Sequence, residues 1–258
     1  MERVVCAWWL ALLVAGASLA GEQAHPGMTA APAPPRVPVV LELFTSEGCS
    51  SCPPADRLLA ELLEEQPVPG ALVIGISEHV DYWDHQGWRD PFSSALFTRR
   101  QQVFAARFGT DRIYTPQIVV DGRAEFVGGD RAEALAGIRR AAASPKTPIG
   151  LAWATSERRA IHVQVAPGAA PNADVWLVMV EDGLSSVVTR GENDGHTLHH
   201  AAVARRLTKL GETSKDGSFE AEPAAAPDPE WHAQALTAVV VLQDRRSGAI
   251  IGAGALHR

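Results

Sequence analysis

Cys49 and Cys52 stand between a short apolar run and a helix-forming run, and no other feature of this chain narrows its fold as much. Upstream, Val39 to Phe44 has the Val, Leu and Phe content of a buried strand. Glu47-Gly48 supplies a turn. Downstream, Arg57 to Glu65 is rich in strong helix formers, with an apolar stripe at 58, 59, 62 and 63. Strand, tight turn and Cys-x-x-Cys at a helix start is the layout of a thiol–disulfide site. Only a thiolate attacks a disulfide, and the positive end of a helix lowers a thiol pKa that starts near ~8.5. Two intervening residues let one turn bring both sulfurs within bonding reach. Cys49, expected to be the more exposed, is the attacking sulfur, and Cys52 resolves the mixed disulfide. Pro53 suits a first helical position, which would make Cys52 the N-cap. A thiolate here would be opposed by Glu47 and favoured by Arg57.

The 258 residues are 46% hydrophobic and 21% charged, enough for one large domain or two smaller ones. A net charge of −7 and the lack of a long basic run argue against nucleic acid as a partner. Residues 1–20 read as a signal peptide: Arg3 in a short leading region, an apolar core from Val4 to Ala17, and Ser18-Leu19-Ala20 before Gly21. A retained membrane anchor is the competing reading. Cleavage implies a periplasmic or secreted protein with no membrane association afterwards. Residues 21–37, rich in Ala and Pro, read as a disordered lead-in. Cys6 leaves with the signal, so the mature chain keeps only Cys49 and Cys52. A ring closed across so short a loop adds little chain-entropy stabilisation, which makes the pair a poor staple and a better chemical device. An inert surface disulfide and a metal-only pair are the alternatives, the second lacking two obvious ligands.

Along the chain, Ala71 to Ser77 is a second buried strand, giving a strand–helix–strand unit. A polar and aromatic stretch from Glu78 to Phe92 precedes a helix over 93–108, with Asp90 or Ser93 as its cap and Gly109 at its end. Thr115-Pro116 enters a strand, Asp121-Gly122 turns it into a hairpin, and Arg131 to Ala142 forms the last helix. A Thr-Pro bond in that place is a candidate for the cis form. Residues 144–149 read as a linker. Beyond them, runs at 150–153, 160–165, 174–180, 198–207, 236–243 and 249–252 read as strands of a small antiparallel β-sandwich.

These features together resemble the thioredoxin fold over residues 38–143, followed by a β-sandwich-like domain over 149–258, an α/β chain. The runs Leu43 to Asp56 (with Cys-Ser-Ser-Cys-Pro-Pro-Ala-Asp), His79 to Asp84, Gly87 to Ser94 and Thr115 to Gln117 resemble an exported, thioredoxin-like family of bacterial proteins whose function has not been defined. Arg190 to Asn193 extends the likeness into the second half. The thioredoxin resemblance implies a cis Thr115–Pro116 bond opposite the cysteines, with Thr115 pairing its backbone to an extended substrate segment. It also implies a buried acid on the strand before the redox turn, for which Glu42 is the nearest candidate proton carrier. Tyr82 and Trp83 would pack over the site or rim it for substrate.

His79, Asp81, Asp84 and His85 are ligand-type residues, and with two thiolates they raise a copper-chaperone reading. The His196, His199, His200 group reads as exposed strand-end histidines. The preferred function is an exported thiol–disulfide oxidoreductase acting on protein or small-molecule thiols, without a cofactor and with an unidentified electron partner. Its alternative is a non-catalytic binding module or metal chaperone, in which the disulfide never cycles.

Overall fold

The first strand to form the frame is buried on both faces because Val39, Leu41 and Leu43 alternate with Val40 and Phe44. In the computed structural model, which describes residues 35–258, this strand is β1 (Val37–Thr45). The signal-peptide reading and most of the lead-in lie outside the described residues. Next come α1 (Pro53–Glu65), β2 (Ala71–His79), a single 3-10 turn (Asp81–Trp83) and α2 (Ala95–Arg107). The hairpin β3 (Gln117–Val120) and β4 (Ala124–Val127) leads to α3 (Arg131–Ala142). The remainder is β5 (Gly150–Trp153), β6 (Ile161–Val165), β7 (Ala173–Glu181), β8 (Leu184–Val187), β9 (Thr197–His200), β10 (Val203–Glu212), β11 (Phe219–Ala221), a second 3-10 turn (Ala233–Ala235), β12 (Leu236–Asp244) and β13 (Ile250–His257).

Eight strands form one mixed sheet in the order β13-β12-β7-β10-β2-β1-β3-β4. β1 runs parallel to β2 and antiparallel to β3. On one face, α1 and α3 bury Leu58, Leu59, Leu62 and Ile138 against Leu41, Leu43 and Ile118. On the other, Phe97 of α2 shares a core with Val40, Ile74 and Ile76 from the first half of the chain and with Val178 and Val239 from the second. A small sheet, β11-β6-β5, covers the opposite face of β7 and β12, and β8 pairs with β9 in a separate two-stranded arm. Among the described residues no helix is long and apolar enough to cross a membrane.

This arrangement corrects the expected two-domain division. A three-stranded layer does pack on β7 and β12 in sandwich fashion, but its larger partner is the same sheet that carries β1 and β2. The junction is β10 lying parallel to β2, with Val203 opposite Ser77 and the Ser77 N–H donating to Ala202 O at 2.8 Å. The expected linker is equally tied down: the Lys146 ammonium reaches Asp121 Oδ2 at 2.5 Å and Ile250 O at 2.9 Å, and the Thr147 N–H bonds Ile251 O. The described residues, 35–258, belong to one compact unit.

Candidate functional site

Where β1 ends, Ser46 folds the chain back. Its hydroxyl accepts the Gly48 N–H at 3.1 Å and its carbonyl accepts the Cys49 N–H at the same distance. Cys49 and Cys52 form a disulfide. Proline has no N–H to lose at a helix start, and the helix begins at Pro53 with Cys52 as its N-cap. The Cys52 carbonyl accepts the Ala55 and Asp56 N–H groups, closing the first turn. Both cysteines are fully buried at 0% exposure, while Ser50 and Ser51 between them face solvent. The expectation of an exposed Cys49 is therefore corrected.

The cysteine turn is held from far along the chain. The loop joining β8 to β9 lays its tip on the cysteine turn, with the Asn193 Nδ2 group donating to Glu47 O at 2.8 Å and to Cys49 O at 3.1 Å. Glu192 Oε2 accepts from the Ser50 N–H at 3.0 Å and from its hydroxyl at 2.7 Å. From the other side, Trp83 packs so close to Gly48 that a Cβ there would lie 3.1 Å from its own. Its indole N–H donates to Thr115 Oγ1 at 2.8 Å. The Thr115–Pro116 bond is cis. A Cβ on Gly128 would meet Ala55 Cβ at 2.8 Å and Pro116 Cβ at 2.9 Å, so the proline loop and the first turn of α1 are in close apposition. Tyr82 turns instead toward α2, donating to Gln101 Oε1 at 3.3 Å, and burial pushes its phenol up to about 12. A groove of about 650 Å³ is lined by Phe108, Ile113, Tyr114, Gln117, Glu125 and Val127 among others.

Around the turn lies a buried set of titratable groups that the sequence reading did not assemble. Glu47 Oε1 bonds His200 Nε2 at 3.0 Å, and Glu47 Oε2 accepts the Trp88 indole N–H at 2.8 Å. His79 Nδ1 lies 2.7 Å from Asp90 Oδ2, which also accepts the Glu47 N–H. The two imidazoles meet edge to face with centroids 4.7 Å apart. Burial works against a charged His79, yet the Asp90 carboxylate, helped by Asp56 and Glu47, raises its pKa above the ordinary value. Burial likewise opposes the Asp90 carboxylate, and His79 with the Glu47 and Phe92 N–H groups nevertheless lowers its pKa. Asp56, one turn into α1, is raised by burial against the pull of His200 and His79. Asp56 and Glu47 belong to the cysteine motif and were within reach of local reading. His200, expected to be exposed, is 4% exposed and joins through the tertiary fold, while His196 and His199 do face solvent.

Glu42, the expected proton carrier, has its carboxylate taken up by the Arg100 guanidinium of α2, which also stands 3.2 Å from Glu78. Burial drives the Glu78 carboxyl well above the usual range, more strongly than Arg100 draws it down. The buried acid on the cysteine helix itself is Asp56. Among the described residues no group of three or more His, Cys, Asp or Glu side chains is arranged to hold a metal ion.

None of the curated proteins matches this chain. A crystal structure of a protein from Agrobacterium tumefaciens is similar to it at 27% identity and a TM-score of 0.69, covering 87% of this chain and 96% of that one. HBP35 of Porphyromonas gingivalis shares the fold at 18% identity and a TM-score of 0.61, over 87% of this chain and 76% of that one. With residues 40–243 matched by the family described as "Protein of unknown function (DUF1223)", the chain belongs to that family.

Proposed function

We propose that this chain is an exported thiol–disulfide oxidoreductase acting on protein or small-molecule thiols through Cys49 and Cys52. The observation that carries the reading is the closed Cys49–Cys52 disulfide at the N-cap of α1, with the Thr115–Pro116 loop packed against that helix turn. A helix start stabilises the thiolate that leaves when the disulfide opens. In the exchange, a substrate thiolate attacks one sulfur, the Cys49–Cys52 bond breaks, and the second cysteine leaves as a thiolate and takes a proton. A second substrate thiol then closes a substrate disulfide, so two electrons and two protons pass to the cysteine pair. A disulfide-bearing protein of the same compartment takes up those two electrons and two protons and restores the Cys49–Cys52 bond. Asp56, a buried acid bonded through its N–H to Cys52 O, is better placed than Glu42 to exchange that proton. Thr115, with Trp83 holding it in place, and the groove lined by its chain neighbours Tyr114 and Gln117 suit an extended substrate segment.

The non-catalytic binding module keeps support from one observation, the complete burial of both sulfurs. A glutathione redox titration of the full chain, followed by mixing of its reduced form with a disulfide-bearing peptide, decides between the two. Reversible two-electron titration with transfer to the peptide is the expected result. A pair that stays oxidised under strong reductant and exchanges with nothing rules for the binding module.

A further inference from the structure

The cysteine turn meets a peptide already: the β8–β9 tip of its own chain. We infer that this tip, Arg190–His196, is a displaceable gate that occupies the polar groups an incoming substrate backbone would use, an inference that rests on the oxidoreductase reading. Three main-chain groups of the turn are engaged. The Glu47 and Cys49 carbonyls accept from the Asn193 amide, and the Ser50 N–H donates to Glu192. An extended polypeptide carries N–H donors and C=O acceptors in alternation and supplies the same complement. A small dithiol or phosphine does not.

The gate is built to come away as a unit. Among the described residues β8 and β9 pair only with each other, and the tip is closed on itself by the Val188 N–H to His196 O and Gly195 N–H to Val188 O bonds. The ribbon itself stays seated, with Leu198 and His200 of β9 buried, so only the tip has to lift and its release costs far less than unfolding. The tip residues other than Asn193 are exposed, and Asn193 is 6% exposed. While the tip is seated, neither sulfur has accessible surface, and attack on the disulfide requires it. Reactivity is therefore set by how often the tip lifts.

The test follows reduction of the full-length oxidised protein by a water-soluble phosphine, which takes oxygen from water as the S–S bond opens to two thiols. Asn193→Ala and Glu192→Ala each remove anchoring at the turn and are expected to accelerate reduction about tenfold, the scale of one hydrogen bond to a buried or charged partner. Asp194→Ala, on the same tip with its carboxylate bonded to nothing on the turn, is expected to react at the wild-type rate, and circular dichroism confirms that all variants fold. Wild-type protein reduced as fast as Asn193→Ala overturns the gate. A second arm compares an unstructured dithiol peptide with dithiothreitol at equal thiol concentration. Wild-type protein is expected to favour the peptide and Asn193→Ala to lose that preference; an equal preference in both overturns displacement by backbone. Should the variants open to phosphine while no form exchanges with either dithiol, the gate stands and the oxidoreductase reading fails.

Discussion

Asp90 is the residue on which the buried polar set converges, because one carboxylate holds His79, the Glu47 N–H and the Phe92 N–H together. The His79 pKa is raised, so its contribution to stability is complete below the ordinary value of 6.5 and is lost as pH rises through the raised one. The Asp90 pKa is lowered, so its contribution is complete above the ordinary carboxylate range and is lost as pH falls through the lowered one. Between those limits both are present. Asp90→Asn is expected to cost about 3 kcal/mol at about pH 5.5 and clearly less at about pH 9, read from urea denaturation midpoints. The adjacent histidines make a second comparison. His200→Ala strips Glu47 of a buried partner and is expected to cost about 3 kcal/mol, whereas His199→Ala on the exposed face stays within about 0.5 kcal/mol in the same assay. In the sequence these two histidines look alike. Strand alternation sends one inward and one outward, and the inward one finds Glu47 only after the chain has folded across 153 residues. The cysteine spacing, the prolines and the cis-capable Thr115-Pro116 were legible because each acts over a few neighbouring atoms.

At the level of elements, the seam between the proline loop and α1 is set by a missing side chain. Gly128 leaves room for Ala55 and Pro116 to approach, and a methyl there would sit under 3 Å from both. Gly128→Ala is expected to cost about 1–3 kcal/mol by overpacking, measured by chemical denaturation. Local patterns announced α3 over Arg131–Ala142 and the Asp121-Gly122 hairpin, which the structure has as read. The helix over 93–108 is shorter, Ala95–Arg107, and its cap is Ser94, whose hydroxyl accepts the Leu96 N–H. The apolar run at 198–207 is broken into β9 and β10 at Ala202, whose φ of 50° is a conformation usually left to glycine or asparagine. With no such residue there, the chain carried no signal for the break, and the partner strand β8 went unread with it.

Across the whole molecule, the β10–β2 pairing and the core shared by Phe97, Ile76, Val178 and Val239 bind the two halves into a single sheet. Urea unfolding of residues 35–258 is expected to give coincident transitions by near- and far-ultraviolet circular dichroism, where two independent domains would give two. A chain stopped at residue 148 would leave that shared core facing water and is expected to show no cooperative transition. Strand pairing between segments so far apart has no local signature, which is why composition and turn signals divided the chain in two.

The hydrogen bond from Ser50 to a carboxylate 142 residues further on also fixes an order of events. A protein that leaves the ribosome N-terminus first presents its cysteine turn to oxidants and to other polypeptides well before the segment that bonds to it has been synthesised. If the proposed gate holds, chains that end before Glu192 lack it, and their disulfide is expected to be reduced at least as fast as that of Asn193→Ala.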